Sequence, residues 1–229
     1  MTIRTRLNTC STYLFVLLAV LAAAATCLII LGKGASFILL NTYHSFALNV
    51  FFINYTFFGD GIFAIGLIIF CFIYKQRPLS LHLLVSFLFS SLIVQLIKNT
   101  VSAPRPKLFF EAGQYLYFIN GVTGTGHSSF PSGHTAIAFT LATVIVFMTK
   151  NKKWHLPVLA AALLVGYSRI YLAQHFLIDV MTGMMIGTFS GILSVLIIQN
   201  FNMPGHLIGK IKWKKSADPV STTSTVQTI

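Results

Sequence analysis

An all-α membrane protein is the fold class predicted here, from three features: an apolar composition, its division into runs of about span length, and basic residues clustered between those runs. Of 229 residues, 55% are hydrophobic and 9% are charged, against about 25% charged in an ordinary soluble domain. A helix needs roughly 20 apolar residues to cross about 30 Å of hydrocarbon. Six segments approach that length: 12–31, 57–74, 79–99, 132–149, 155–172 and 176–199. The expectation is a six-transmembrane helix bundle with one interfacial helix.

Taken in order, the first run follows Arg4 and Arg6 and continues from Tyr13 to Leu31. A cleavable signal has an apolar region of roughly 7–15 residues, so this longer run reads as a retained span. Residues 35–56 are aromatic-rich but interrupted by Asn41, His44, Asn49 and Asn54, a pattern that suits an interfacial helix. The second run has Gly59-Asp60-Gly61 at its outer end, the third opens after Lys75 and Arg77, the fourth at Pro131-Ser132-Gly133 and the fifth after Lys150, Lys152 and Lys153. The sixth opens after His175. Residues 1–200 thus read as one membrane domain. Residues 201–229 read as a cytoplasmic tail, basic at Lys210, Lys212, Lys214 and Lys215 and then Ser/Thr-rich, a composition that favours disorder. Cys10, Cys27 and Cys71 lie in or beside apolar runs and imply packing rather than a disulfide framework.

The net charge of +12 comes from 16 Lys and Arg against four acids. In a soluble protein that excess would point to nucleic acid. Here most basic residues fall at the start, after runs two and four, and at the end, so they orient the bundle and no nucleic-acid partner is implied. With six spans these places share one side, which the positive-inside rule makes cytoplasmic together with both termini. Lys33, Lys98, Arg105, Lys107 and Arg169 fall on the opposite side. The same parity brings the 100–131 loop, the start of run four, the 168–175 turn and Asp60 to one outer face. Ionisable groups at such places mark function.

Their chemistry is that of anion handling. Arg105 and Arg169 offer planar bidentate forks and Lys98 a mobile point charge, suited to phosphate; snorkelling to lipid headgroups is the simpler role, and it fits Lys33 and Lys107. Ser132 and Gly133 begin an apolar helix whose first-turn N–H groups form an anion site. His175 and Asp179 are four residues apart and share a helix face. Asp179 can accept a hydrogen bond from one ring N–H and leave the other nitrogen free to attack, although a His–Asp pair also serves as a buried interhelix hydrogen bond. His134 has no carboxylate at helical spacing and suits protonation of a leaving oxygen followed by activation of water. His127, in Gly124-Thr-Gly126-His127, either touches substrate or lines its loop; Asp60 either orients a cation or substrate hydroxyl or caps a helix. Glu111 reads as a solvated loop carboxylate. A metal site is disfavoured, because three cations share the cluster and no HExxH-like spacing is present; no cofactor is expected.

Lys98-x6-Arg105-Pro106, Pro131-Ser132-Gly133-His134 and Ser168-Arg169-x5-His175-x3-Asp179 together resemble the three-part signature of the type 2 phosphatidic acid phosphatase superfamily. The motifs cover about 80 residues, and the apolar runs extend the likeness to the family's bacterial integral-membrane branch, over about residues 10–200. The resemblance implies a metal-independent phosphatase working through a phosphohistidine, with His175 as nucleophile, Asp179 as its partner and His134 as acid. Lys98, Arg105, Ser132, Gly133 and Arg169 would hold the phosphoryl oxygens; the resemblance assigns no role to Asp60 and His127, which stay auxiliary candidates from their own positions. It places the enzyme in a bacterial inner membrane with the site on the periplasmic or extracellular side, at the outer ends of the helices. It implies a lipid phosphate as substrate, undecaprenyl diphosphate first, with lipid A, phosphatidylglycerophosphate and phosphatidic acid as alternatives. A lipid phosphotransferase would use the same residues, and a headgroup-binding or transport protein would need the cations but not the His175–Asp179 pair. Oligomeric state is not readable from these patterns.

Overall fold

The structure is a computed structural model that describes residues 6, 8–110, 117–119 and 121–200. The expectations for Arg4, Glu111 and the 201–229 tail lie outside those residues. Eight α-helices and two 3-10 turns make up the described chain: α1 (Ser11–Leu40), α2 (Phe46–Tyr55), a turn at Thr56–Gly59, α3 (Gly61–Ile73), α4 (Arg77–Thr100), α5 (Pro106–Phe109), α6 (Gly133–Met148), a turn at Lys152–Trp154, α7 (His155–Tyr171) and α8 (Leu177–Asn200). The all-α class is as the apolar runs predict.

Each expected run contains a helix, but the helices are unequal. α1, α4 and α8 are long and apolar enough to cross a membrane by themselves. α3, α6 and α7 have 13, 16 and 17 residues, below the roughly 20 that a full crossing takes. α3 reaches span length only jointly with α2 and the following turn, from which it is bent by 55°. The exterior carries exposed Phe15, Ile29, Ile62, Phe72 and Ile73, side chains that belong against hydrocarbon rather than water.

Residues 35–56 do not form the single interfacial helix that their composition suggests. Residues up to Leu40 belong to α1, which breaks at Gly32, where φ is 74°, a region that glycine enters without steric cost. The chain then opens at residues 41–45 because the Asn41 amide donates to the carbonyls of Ile170 and Tyr171, the latter at 2.8 Å. Ser45 restarts the helix by accepting from the Leu48 N–H, an N-cap that satisfies one of the donors a first turn leaves free.

α6 is the central helix, with eleven of its 16 residues buried. α8 lies directly on it. A Cβ on Gly183 would come within 2.6 Å of the Ser132 carbonyl oxygen, one on Gly187 within 2.3 Å of the Ala136 oxygen, and one on Gly191 within 2.7 Å of Thr143 Cβ. The glycine spacing of four puts all three on one stripe, the arrangement that lets membrane helices approach backbone to backbone. α1 joins through Tyr13, whose hydroxyl hydrogen-bonds Thr143 Oγ1 at 2.9 Å. Arg6 donates to the Phe147 carbonyl at the far end of α6, where a cation complements the helix dipole.

Gly187→Ala is therefore expected to destabilise the fold by about 1–3 kcal/mol, the usual cost of overpacking. Gly66→Ala, where an added Cβ has no non-local neighbour within 4 Å, is expected to leave stability unchanged or slightly raised. Thermal unfolding of the two variants in detergent checks the difference.

Candidate active site

Backbone hydrogen bonds bring the three motif segments together at one end of the α6–α8 seam. The Ser132 N–H donates to the Asp179 carbonyl at 3.0 Å, which joins the start of α6 to the first turn of α8. The segment after α4 is pinned to the one before α6: Ala103 N–H donates to His127 O, Arg105 N–H to Gly126 O and Ser129 N–H to Ala103 O, at 2.8–3.0 Å. After α7, Gln174 and His175 both donate their N–H groups to the Arg169 carbonyl. That closes a tight turn with Ala173 at φ 51°.

The result is two histidine–carboxylate pairs of different character. His175 Nδ1 lies 3.6 Å from Asp179 Oδ2, and His134 Nε2 lies 3.6 Å from Asp60 Oδ2. The first pair is sealed, with side-chain exposures of 3% and 1%; the second is open, at 31% and 36%. Only the first was readable as an i, i+4 spacing. The Asp60 partnership of His134 links separate elements and has no local signature.

Asp179 does not hold the His175 proton in a direct hydrogen bond, since 3.6 Å is ion-pair range but beyond hydrogen-bond length. Its Oδ2 instead accepts from Ser129 Oγ at 2.5 Å and from the Phe176 N–H at 2.9 Å. Ser129 is thus a site residue that the motif pattern does not mark. Asp60 fills both of its candidate roles: Oδ1 caps α3 by accepting from Ile62 N–H at 2.8 Å, and Oδ2 faces His134.

Around these pairs stand the cations. Arg169 is buried, its Nη1 donating to Thr56 Oγ1 at 2.5 Å and its Nη2 to Gln174 Oε1. Arg105 Nη1 donates to the same Gln174 oxygen at 3.4 Å. A Cβ on Gly124 would lie 2.5 Å from that Nη1, so a residue without a side chain makes room for the guanidinium. Lys98 Nζ donates to the Ser128 carbonyl at 3.3 Å. Gln174 and Thr56, like Ser129, carry no motif signal; Gln174 is marked only by standing next to His175.

Ser132 is fully buried, and its hydroxyl caps α6, paired with Thr135 Oγ1 at 2.8 Å. At Gly133 an added Cβ would meet only Val94, at 3.7 Å, so packing alone does not demand glycine there. His127 contributes its carbonyl to the loop while the residue itself is exposed. Among the described residues no three His, Cys, Asp or Glu side chains converge as a metal site.

Burial pushes the His175 imidazole from its ordinary value near 6.5 down to about 4, with Arg169 and Arg105 lowering it further and Asp179 opposing. A low-dielectric setting penalises the charged ring, so the neutral form that can attack is the resting form at neutral pH. Burial likewise lowers Arg105, opposed by Asp179.

A profile of the PAP2 superfamily matches residues 79–203, the interval that holds all three motifs, α4 from its third residue, and the α6, α7 and α8 helices. The chain belongs to the PAP2 superfamily. An undecaprenyl-diphosphatase of Sulfolobus acidocaldarius is 28% identical over 123 residues, 54% of this chain and 57% of that one. A lipid A 4'-phosphatase of Porphyromonas gingivalis is 27% identical over 163 residues, 69% of this chain and 65% of that protein. This PAP2 chain spans about half the length of several of the curated relatives it matches. Among solved structures, Aquifex aeolicus LpxE superposes with a TM-score of 0.60 at 33% identity, over 70% of this chain and 92% of that one. A Bacillus subtilis transmembrane PAP2-type phosphatidylglycerolphosphate phosphatase superposes with a TM-score of 0.62 over 84% and 96%. At 24% identity the second likeness speaks for the fold alone.

The His175 ring is expected to remain neutral down to about pH 5 and to be half-protonated near pH 4. Imidazole 15N shifts followed through a pH titration check this; a midpoint near 6.5 would mean that water reaches the ring.

Proposed function

We propose that this PAP2 protein is an integral-membrane lipid phosphatase that removes phosphate from a lipid phosphate or diphosphate through a phosphohistidine, without a metal ion. The observation that carries the reading is the division of labour between the two histidine pairs, whose members other than Asp60 fall in the family-matched segment, beside two arginines. His175, buried and neutral, has the state required of a nucleophile. His134 and its partner Asp60 are both half-buried, so His134 keeps a route to exchange protons with solvent and can serve as acid and then base.

In the first step the free ring nitrogen of His175 forms a bond to phosphorus as the bond from phosphorus to the lipid oxygen breaks. His134 gives that oxygen its proton. Asp179 stabilises the positive charge that develops on His175. In the second step His134 takes a proton from water, whose oxygen displaces His175 and yields inorganic phosphate. Arg105, Arg169 and Lys98, with the first-turn N–H groups at Ser132 and Gly133, balance the charge on the phosphoryl oxygens; such fixed donors are commonly the largest contribution in phosphoryl transfer.

Undecaprenyl diphosphate is the first substrate to test, supported by an undecaprenyl-diphosphatase among the relatives. Lipid A phosphatases and a phosphatidylglycerophosphatase among them support the alternatives. The distribution of basic residues supports a six-span arrangement in a bacterial inner membrane, with cytoplasmic termini and the site on the periplasmic or extracellular face.

The test is phosphate release by the purified protein in detergent, with EDTA present, from undecaprenyl diphosphate, lipid A, phosphatidylglycerophosphate and phosphatidic acid. Release is expected with EDTA, and His175→Ala is expected to lower it by about three orders of magnitude or more, as removal of a nucleophile does elsewhere. Full activity in that variant would overturn the mechanism. Activity lost to EDTA and restored by a divalent ion would overturn the metal-free reading.

A further inference from the structure

Arg105 and Arg169 come from different segments, repel each other, and are nonetheless directed at one atom. Gln174 Oε1 accepts from Arg105 Nη1 and from Arg169 Nη2. On its other side, Gln174 Nε2 donates to the Val122 carbonyl at 2.7 Å. This amide has one chemically acceptable orientation: reversed, its NH2 would face two guanidinium donors and its oxygen would face a carbonyl. The backbone of Gln174 is tied as well, through its N–H to the Arg169 carbonyl at 3.0 Å. Thr56 Oγ1 takes a second donor of Arg169. The Nε atoms of both arginines are buried without a hydrogen-bond partner among the described residues, so each guanidinium retains donor capacity.

We propose that Gln174 is a positioning residue for phosphate binding: one neutral amide oxygen, braced by Val122, gathers both guanidiniums so that their remaining N–H groups face the substrate's phosphoryl oxygens. Neutrality is the point of the choice. A carboxylate at this position would make stronger hydrogen bonds to both arginines, but it would cancel one of the two positive charges and repel the phosphate. An amide supplies the geometry and leaves both charges for the ligand. The inference rests on the phosphatase reading and extends it to Gln174, a position that the third motif leaves unspecified.

The experiment uses the full-length protein in detergent, with orthovanadate as the phosphate-like probe and short-chain phosphatidic acid as substrate. Inhibition constant, KM, kcat and thermal midpoint are measured for wild type, Gln174→Met, Gln174→Glu, Arg105→Ala and the Gln174→Met/Arg105→Ala pair. Gln174→Met keeps the side-chain length and removes the acceptor. It is expected to raise KM and the orthovanadate constant about tenfold, roughly the worth of one hydrogen bond to a charged group, with a smaller change in kcat and an unchanged thermal midpoint. Gln174→Glu keeps the acceptor and is expected to weaken orthovanadate at least as much, through its charge.

In the double variant the losses are expected to combine to clearly less than their product, since residues that act through one another are not additive. A Gln174→Met protein that binds orthovanadate within about twofold of wild type overturns the proposal, as does full multiplicativity in the double variant. If Gln174→Met does not fold, wild-type orthovanadate binding by Gln174→Glu overturns it. Wild-type protein that neither releases phosphate nor binds orthovanadate overturns the phosphatase reading, and this inference falls with it. An active wild type with unaffected variants overturns this inference alone.

Discussion

Three glycines on one stripe of α8 let its backbone rest against that of α6, and the site is assembled at the end of that seam. Gly183 faces the Ser132 carbonyl, Gly187 that of Ala136, and Gly191 the side chain of Thr143. Where the seam ends, the Ser132 N–H closes on the Asp179 carbonyl. The seam therefore sets the separation between the α6 start, which carries His134, and the α8 start, which carries Asp179 with His175 just before it. A side chain anywhere along the stripe would push the helices apart, and the two histidines with them. Membrane helices gain little from burying apolar surface against one another, so close packing of this sort is the means available to hold them.

The electrostatics follow from how each group is lodged. Two arginines and a lysine close together would repel without anions or acceptors between them. The described structure supplies neutral acceptors, Gln174, Thr56 and the Ser128 carbonyl, which aim the donors without cancelling their charge. The carboxylates are kept for the histidines. Asp179 Oδ2 accepts from Ser129 and the Phe176 N–H and acts on His175 through charge at 3.6 Å. Asp60 spends one oxygen on a helix cap and turns the other to His134. Burial favours the neutral ring at His175, and His134, half-buried where His175 is sealed, keeps partial contact with water.

Several features were legible in the chain because their causes are local. Apolar runs locate the helices, and i, i+4 spacing puts His175 and Asp179 on one face. Ser132 ahead of an apolar stretch reads as a helix cap, and it is one. Residues 35–56 were harder: their polar interruptions suggested a single surface helix, whereas Gly32 and Asn41 divide the segment by a backbone angle and a contact to α7. Span lengths also differ from the hydropathy runs, since α3, α6 and α7 are shorter than a full crossing.

By itself, then, the sequence determined the helical class, the membrane setting, the motif residues and the family, because hydropathy and short-range spacing act within a few turns of chain. Tertiary structure alone decided that Asp60 serves His134, that Ser129 rather than His175 makes the short hydrogen bond to Asp179, and that Gln174 joins Arg105 to Arg169. Those contacts are made between segments brought together by helix packing, and a hydrogen bond depends on where two atoms meet in space, which no local pattern encodes.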